Sequence, residues 1–177
     1  MLSGGSNFVV LSIGAFADAE LYERVKNTAA KNKRRVYIAS GAVGGFDVLR
    51  TAALMSPITA SISSQKNPGS LYYTPLFTED LLDLKEPKQV FGGTTKEAIA
   101  ILPTHVNVAV ATALASAGPD QTAMNIKAVP GFKGDEYKIE IKGEEVYTDL
   151  NIYSRTSAIA GWSVVAVLQN AVGPIVF

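Results

Sequence analysis

The sequence contains no cysteine and only one histidine, His105, among its 177 residues. Without thiols there can be no disulfide, thiolate metal site, iron–sulfur cluster or cysteine nucleophile. One imidazole cannot make a histidine-rich metal site, and no compact acidic loop of the calcium-binding type occurs, so we predict no metal centre. The 16 basic and 16 acidic residues cancel, which leaves no net field to attract nucleic acid or an anionic membrane.

Motifs for nucleotide binding and nucleophilic catalysis are also missing. No Gly-x-Gly-x-x-Gly follows a predicted strand, and no Gly-x-Ser-x-Gly elbow occurs. The glycine cluster at residues 41–45 stands between a strand and a helix but lacks phosphate-loop spacing, so a junction turn and a ligand-facing backbone both remain open. His105 stands near a predicted helix start, where a hydrogen-bonded structural histidine is more typical than a catalyst.

Two apolar stretches are near in length to targeting or membrane segments but lack their other features. Residues 8–17 have no positively charged leader before them. Residues 156–177 carry no charge but are interrupted by polar residues, Gly173 and Pro174. We predict a buried strand for the first and a buried helix with a short tail for the second, and we expect a cytoplasmic protein without a membrane partner.

The first forty residues have the pattern of a strand, a helix and a strand. Apolar runs at 8–13 and 36–39 predict the strands, and helical spacing at 19–30 predicts the helix, with Asp18 as its N-cap. Such βαβ units build parallel sheets. Residues 1–40 are therefore predicted to be a remnant of a dinucleotide-binding domain.

Residues 41–177 predict a second domain in which helices cover a mixed or antiparallel sheet. Helices are expected at 46–54, 96–102, 107–117 and 157–170, and strands at 58–64, 90–91, 123–129, 137–142 and 145–151. Thr94 or Thr95 can cap the second helix, and Pro103 ends it. The fold class is thus α/β (α+β), a partial Rossmann-like βαβ unit followed by this sheet domain.

The residues before the last helix are candidates for anion binding. Ser154-Arg155-Thr156-Ser157 places a guanidinium and several hydroxyls where free backbone N–H groups and a positive dipole end are expected. A small carboxylate fits such a site. An ordinary N-cap with a solvent-facing arginine fits the spacing equally well.

Several segments, taken together, point to one family. They are Ser12-Ile13-Gly14-Ala15-Phe16-Ala17-Asp18, Ser40-Gly41-Ala42-Val43-Gly44-Gly45-Phe46-Asp47, Phe91-Gly92-Gly93-Thr94, Pro103 with Asn107-Val108-Ala109, and Arg155-Thr156-Ser157. In content and order, over nearly the whole chain, they resemble the NAD(P)-dependent L-aspartate dehydrogenases. The resemblance implies oxidation of L-aspartate to iminosuccinate by hydride transfer to NAD or NADP.

The resemblance also implies roles for individual residues. Positions that would face the cofactor are Ser12, Gly14, Ala15, Ser40, Gly41 and Ala42. Positions that would line the pocket for an amino acid or dicarboxylate are Lys66, Asn107, Arg155, Thr156 and Ser157. The position of the family's catalytic histidine is occupied by Tyr137.

Two departures from the family pattern bear on activity. Phenols in general ionise near pH 10 and imidazoles near about 6.5, so tyrosine is a poor acid–base substitute for histidine near neutrality. The family's glycine-rich nucleotide motif is not among these residues. We therefore expect the chain to be incomplete and inactive alone, and to need a separately encoded nucleotide-binding half.

An alternative is a catalytically silent binding or assembly module derived from the same family. An exposed sheet face and the apolar tail at 174–177 predict a homodimer in either case.

Overall fold

The computed structural model describes residues 1–176. Its strands are β1 Phe8–Val10, β2 Val36–Ile38, β3 Ile58–Lys66, β4 Lys88–Thr94, β5 Thr122–Ala128, β6 Asp135–Gly143 and β7 Tyr147–Ser154. Its α-helices are α1 Ala19–Lys31, α2 Phe46–Met55, α3 Thr95–Ile101, α4 Asn107–Leu114 and α5 Ala158–Val172. The prediction of a mixed α/β fold is confirmed.

The first unit is the predicted βαβ. β1 and β2 pair in parallel, with Phe8 opposite Val36, and α1 crosses between them. The Asp18 side chain accepts a hydrogen bond from the Leu21 amide at 2.8 Å, so it caps α1 as the sequence predicts. The apolar face of α1 packs towards the cluster around Phe16, which attaches the unit to the rest of the chain.

A five-stranded sheet in the order β4-β5-β3-β6-β7 forms the larger part of the molecule. β3 and β5 are parallel, and the other pairs are antiparallel. One face is apolar and packs against α2, α3 and α4, with Ile62, Ile139 and Ile141 fully buried. The opposite face is polar and open, as is usual for a largely antiparallel sheet.

Helix α4 joins the two sheets. Residues 109–113 are buried, and Val110 and Ala111 pack against Ile13 and Phe16 beside the small sheet. Ala109 belongs instead to the core of the large sheet. The run of small residues allows α4 to lie close to both. The predicted end at residue 117 is three residues too late, because the Gly118 amide turns back to the Ala113 carbonyl at 2.8 Å.

The prediction that the uncharged final helix is buried is wrong. No residue of α5 is buried, and Trp162 and Val172 are 70% and 85% exposed. The physical reason is that α5 packs only partly on the rest of the chain: Ile159 is partly buried against the core of the large sheet, and Ser163 accepts a hydrogen bond from the Gly41 amide. None of the helices within residues 1–176 is long and apolar enough to cross a membrane.

The sequence also misplaces Gly92 and Gly93, which it assigns to a turn after a two-residue strand. Both lie within β4, opposite Asn125 and Met124. Their lack of side chains serves packing, because a Cβ at Gly93 would lie 2.6 Å from the Glu97 Oε2 atom. Of the two cap candidates left open by the sequence, it is Thr94 that caps α3, in a capping box with Glu97.

Candidate functional site

A cleft of about 270 Å³ lies where the ends of β1 and β2 face the starts of α4 and α5. Its lining includes four of the positions predicted to face a cofactor, namely Ser12, Ser40, Gly41 and Ala42. The same lining includes Asn107, Ser157 and Tyr137, which were predicted for substrate binding and catalysis. The fold therefore brings most of the predicted site together, although these residues come from distant segments.

The turn after β2 lines the cleft and is hydrogen-bonded to α5. Gly41 has φ of +67°, a left-handed conformation that favours glycine. Its amide donates to the Ser163 Oγ atom at 3.0 Å, and the Ser163 hydroxyl donates to the Ala160 carbonyl at 2.7 Å. Ser163 was not predicted, and the signal for it was a single hydroxyl among the apolar residues and glycine of positions 158–168.

Gly41 contributes only backbone to the lining of the cleft. An ideal Cβ there would lie 3.4 Å from Val108 Cγ1 and 3.9 Å from Leu11 Cδ1, and both residues line the cleft. Bare backbone beside two apolar side chains suits a flat aromatic ring. The residues present therefore fit the nicotinamide end of a dinucleotide, whereas the 177 residues contain no glycine-rich motif for its pyrophosphate.

Gly14 and Asn107 form a contact behind the cleft. The Gly14 amide donates to the Asn107 Oδ1 atom at 2.8 Å, and a Cβ on Gly14 would lie 2.9 Å from Ile99 Cδ1. Gly14 is buried, while the neighbouring Ala15 is exposed and does not line the cleft. The carbonyl oxygen of Asn107 thus serves the fold, which the sequence alone did not predict.

Polar side chains replace apolar ones at one end of the large sheet. On β3 the core-facing residues Ala60 and Ile62 are followed by Ser64 and then Lys66. On the antiparallel neighbour β6, Tyr137 lies opposite Ser64, and Asp135 follows it towards the same end. In both strands the core-facing residues therefore change from apolar to polar at the end beside the cleft.

These side chains form a small network. The Lys66 Nζ atom lies 3.3 Å from Asp135 Oδ1 and donates to the Tyr137 hydroxyl at 3.4 Å. The same ammonium lies 5.5 Å from the centre of the Tyr137 ring, within the range of a cation–π contact. Asp135 was not predicted, because no motif contains it and its position depends on strand register.

A second, smaller cavity of about 80 Å³ adjoins the cleft. His105, Val108 and Tyr137 line both spaces, so these residues form the boundary between them. Lys66 lines only the small cavity and Asp135 only the cleft. The His105 Nδ1 atom lies 3.0 Å from the Thr104 hydroxyl, and the ring is exposed.

The segment before α5 contributes less than predicted. Thr156 Oγ1 accepts from the Ala158 amide at 3.2 Å, which is a capping role. Arg155 and Thr156 are exposed, and neither lines the cleft, whereas Ser157 does. Among the described residues, the lining of the cleft includes the Asp135 carboxylate and no lysine or arginine.

Comparison with known proteins agrees with this architecture. Residues 47–171 match the family model described as aspartate dehydrogenase, C-terminal. The chain belongs to the aspartate dehydrogenase family. The resemblance inferred from the sequence motifs is thereby confirmed.

Curated relatives and a solved structure extend the match beyond the family model. An L-aspartate dehydrogenase of Methanocella arvoryzae is 29% identical, over 98% of this chain and 68% of the relative. Another, from Methanococcus maripaludis strain C5, is 32% identical over 98% and 67%. The crystal structure of aspartate dehydrogenase from Thermotoga maritima superposes with a TM-score of 0.84 at 28% identity, covering 99% of this chain and 70% of the other.

Proposed function

We propose that this chain is the catalytic part of an NAD(P)-dependent L-aspartate dehydrogenase and works together with a nucleotide-binding half that residues 1–177 do not contain. In this proposal residues 1–40 belong to the dinucleotide-binding domain, and residues 41–177 form the catalytic and dimerisation domain. One observation carries the proposal: a single cleft is lined both by the glycine turn after β2 and by Asn107, Ser157 and Tyr137.

The reaction proposed is the oxidation of L-aspartate to iminosuccinate. A bound nicotinamide supplies the hydride acceptor for the Cα–H bond, and one amine proton is lost to a base. The turn at Gly41 would offer a flat surface beside Val108, which orients the ring and limits access by water. Asn107 and Ser157 would contact the amino acid within the same cleft.

Tyr137 would accept or donate the amine proton. Lys66 donates to its oxygen at 3.4 Å, which leaves the phenolic O–H free to point to the cleft or to the small cavity. Its position at the boundary of both spaces suits a proton donor or acceptor next to the reacting atoms.

The small parallel sheet supports the need for a second half. It has only β1 and β2, and each is three residues long. Parallel sheets are normally larger and covered on both faces, because an isolated pair of strands is marginally stable. Additional parallel strands at either edge would complete a nucleotide-binding sheet next to the proposed nicotinamide site.

Reconstitution tests the proposal. The 177-residue chain is mixed with the nucleotide-binding segment of the Methanocella arvoryzae relative, and complex formation is checked by size-exclusion chromatography. We expect NAD(P)H to form from L-aspartate only in the complex, and calorimetry to show cofactor binding that strengthens when L-aspartate is present. A stable complex without turnover would refute the dehydrogenase proposal.

Tyr137→His in the same complex tests the role of the phenol. Imidazole is the better acid–base group at neutral pH, and general acid–base catalysis contributes about 10²–10⁴-fold, so we expect kcat at pH 7 to rise about tenfold or more. An unchanged kcat in a folded variant would show that Tyr137 takes no part in the proton transfer.

One observation favours a catalytically silent assembly module instead. The ammonium nearest the site, that of Lys66, is already paired with Asp135, and the cleft itself is lined by a carboxylate. Such a site has little net positive charge for a dianionic substrate. This alternative predicts a complex with the nucleotide-binding half that neither binds L-aspartate nor turns it over.

We further propose that the chain forms a homodimer through α5. Trp162, Leu168 and Val172 are exposed on this helix, and contiguous exposed apolar side chains of this kind are typical of protein interfaces. Light scattering should give twice the mass of the chain. A monomer at micromolar concentrations would contradict the proposal.

A further inference from the structure

The small cavity beside the cleft contains a hydroxyl without a partner. Ser64 is only 2% exposed, and its Oγ atom has no hydrogen-bond partner among residues 1–176. Buried hydroxyls are nearly always paired, because an unpaired one loses its hydrogen bonds to water on folding. An unpaired buried hydroxyl that lines a cavity therefore indicates that an atom of a ligand is its hydrogen-bond partner.

The position of Ser64 is fixed by the sheet. It lies opposite Tyr137 on β6 and opposite Ile126 on β5, and all three residues line the small cavity. Lys66, two residues further along the same strand, points to the same side of the sheet and lines the cavity too. The hydroxyl and the ammonium are therefore adjacent groups on a rigid strand.

The hydroxyls of two other residues around the cavity are already used as donors. The Ser70 hydroxyl donates to the Asn67 carbonyl at 2.7 Å, and the Thr74 hydroxyl donates to the Leu71 carbonyl at 2.8 Å. An ammonium has three N–H groups, and those of Lys66 meet one oxygen of Asp135 and one of Tyr137. The donors left free are thus the Ser64 hydroxyl, the third N–H of Lys66 and the O–H of Tyr137, and of these only the Ser64 hydroxyl has no hydrogen bond at all.

The size and charge of the cavity suit a carboxylate. Its volume of about 80 Å³ is several times the roughly 10–15 Å³ that one water molecule needs. Of the paired Lys66 and Asp135, only Lys66 lines this cavity. Leu102, Val106 and Met124 give the cavity buried apolar lining, so the Ser64 hydroxyl is shielded from bulk water, while the Lys66 side chain stays 21% exposed.

We propose that the small cavity is the subsite for the side-chain carboxylate of the substrate, and that Ser64 determines specificity there by donating its hydroxyl to that carboxylate beside Lys66. This inference rests on the proposed function and names the group that selects a dicarboxylic amino acid. The Cα atom of the substrate would then lie at the boundary of the two spaces, next to Tyr137.

Calorimetry on the 177-residue chain without cofactor tests the subsite. The probes are succinate and butyrate, which have the same carbon chain but differ by one carboxylate. We expect the wild type to bind succinate more tightly, and Ser64→Ala to weaken succinate binding about tenfold or more, as for loss of a hydrogen bond to a charged group. Butyrate binding should not change.

Ser56→Ala provides a matched control. The Ser56 hydroxyl is also buried without a partner, but Ser56 lies before β3 at its opposite end, next to Gly143. We expect this variant to bind succinate as the wild type does. Both variants should melt at or above the wild-type temperature, because each loses an unpaired buried hydroxyl.

The outcomes separate this inference from the proposed function. Wild-type succinate affinity in Ser64→Ala would refute the subsite and would indicate that the hydroxyl binds only water. If the reconstituted complex oxidises L-aspartate and Ser64→Ala leaves its kcat/KM unchanged, the dehydrogenase proposal is supported and the subsite proposal is refuted. If the complex has no turnover but Ser64→Ala still abolishes the preference for succinate, the subsite proposal is supported and the dehydrogenase proposal is refuted.

Discussion

Replacing Asn107 by alanine should destabilise the fold and disturb the cleft at once. The Asn107 Oδ1 atom is the acceptor for the Gly14 amide at 2.8 Å, and Gly14 is buried. Alanine would leave that N–H unpaired, which costs about 1–3 kcal/mol of the free energy of unfolding. For a chain of this size, this corresponds to a melting temperature lower by about 2–12 °C.

Asn107→Asp is the matched control for this prediction. Aspartate keeps an acceptor oxygen at the same position, and its charge is favourable at the first residue of α4. Aspartate loses the long bond from the Asn107 Nδ2 atom to the Thr104 carbonyl at 3.5 Å, so we expect it to cost less than alanine but not to match the wild type. Urea denaturation measures both variants. An alanine variant as stable as the aspartate variant would refute the claim that this hydrogen bond holds the turn at Gly14.

Three further predictions follow from single residues. Gly45→Ala should cost about 1–2 kcal/mol, because Gly45 has φ of +73° and its Cβ would meet Leu150 Cδ1 at 2.5 Å. In urea melts Gly44→Ala, whose Cβ meets nothing within 4 Å, should be neutral. The pKa of Glu97 lies below its usual range because the Thr94 backbone N–H donates to its carboxylate, so its stabilisation is present above the unfolded-state pKa and is lost as the pH falls through the folded-state pKa. The stability difference between wild type and Glu97→Gln, followed by urea melts across pH, should therefore shrink in acid, and a constant difference would contradict this. Trp162→Lys should convert the proposed dimer to a monomer in light scattering, and a variant that stays dimeric would exclude Trp162 from the interface.

Local chemistry explains what the sequence predicts well. The βαβ unit follows from apolar runs and from Asp18, whose capping bond spans three residues. The capping box at Thr94 and Glu97 is equally local. One cleft contains Ser40, Asn107 and Ser157. The sequence predicts that they lie together only through the family motifs, because members of a family share a fold.

Strand register explains what the sequence does not predict. The two-residue period of Ala60 and Ile62 places Ser64 on the core face, but the sequence does not show which residues of β5 and β6 lie opposite it. Asp135 approaches Lys66 only because β3 and β6 pair with Ser64 opposite Tyr137. The exposure of α5 is missed for another reason. The absence of charge indicates that a helix packs against an apolar surface, but does not show whether that surface belongs to the same chain.

The bond between the Gly41 amide and Ser163 has a consequence for the order of folding during synthesis. Its partners are 122 residues apart in the chain. At the usual rate of about 5–20 residues per second, the ribosome supplies the hydroxyl roughly 6–24 s after the turn. The wall of the cleft is therefore completed only when α5 has left the ribosome and docked, so a nascent chain has no finished site, and ligands can stabilise only completed molecules.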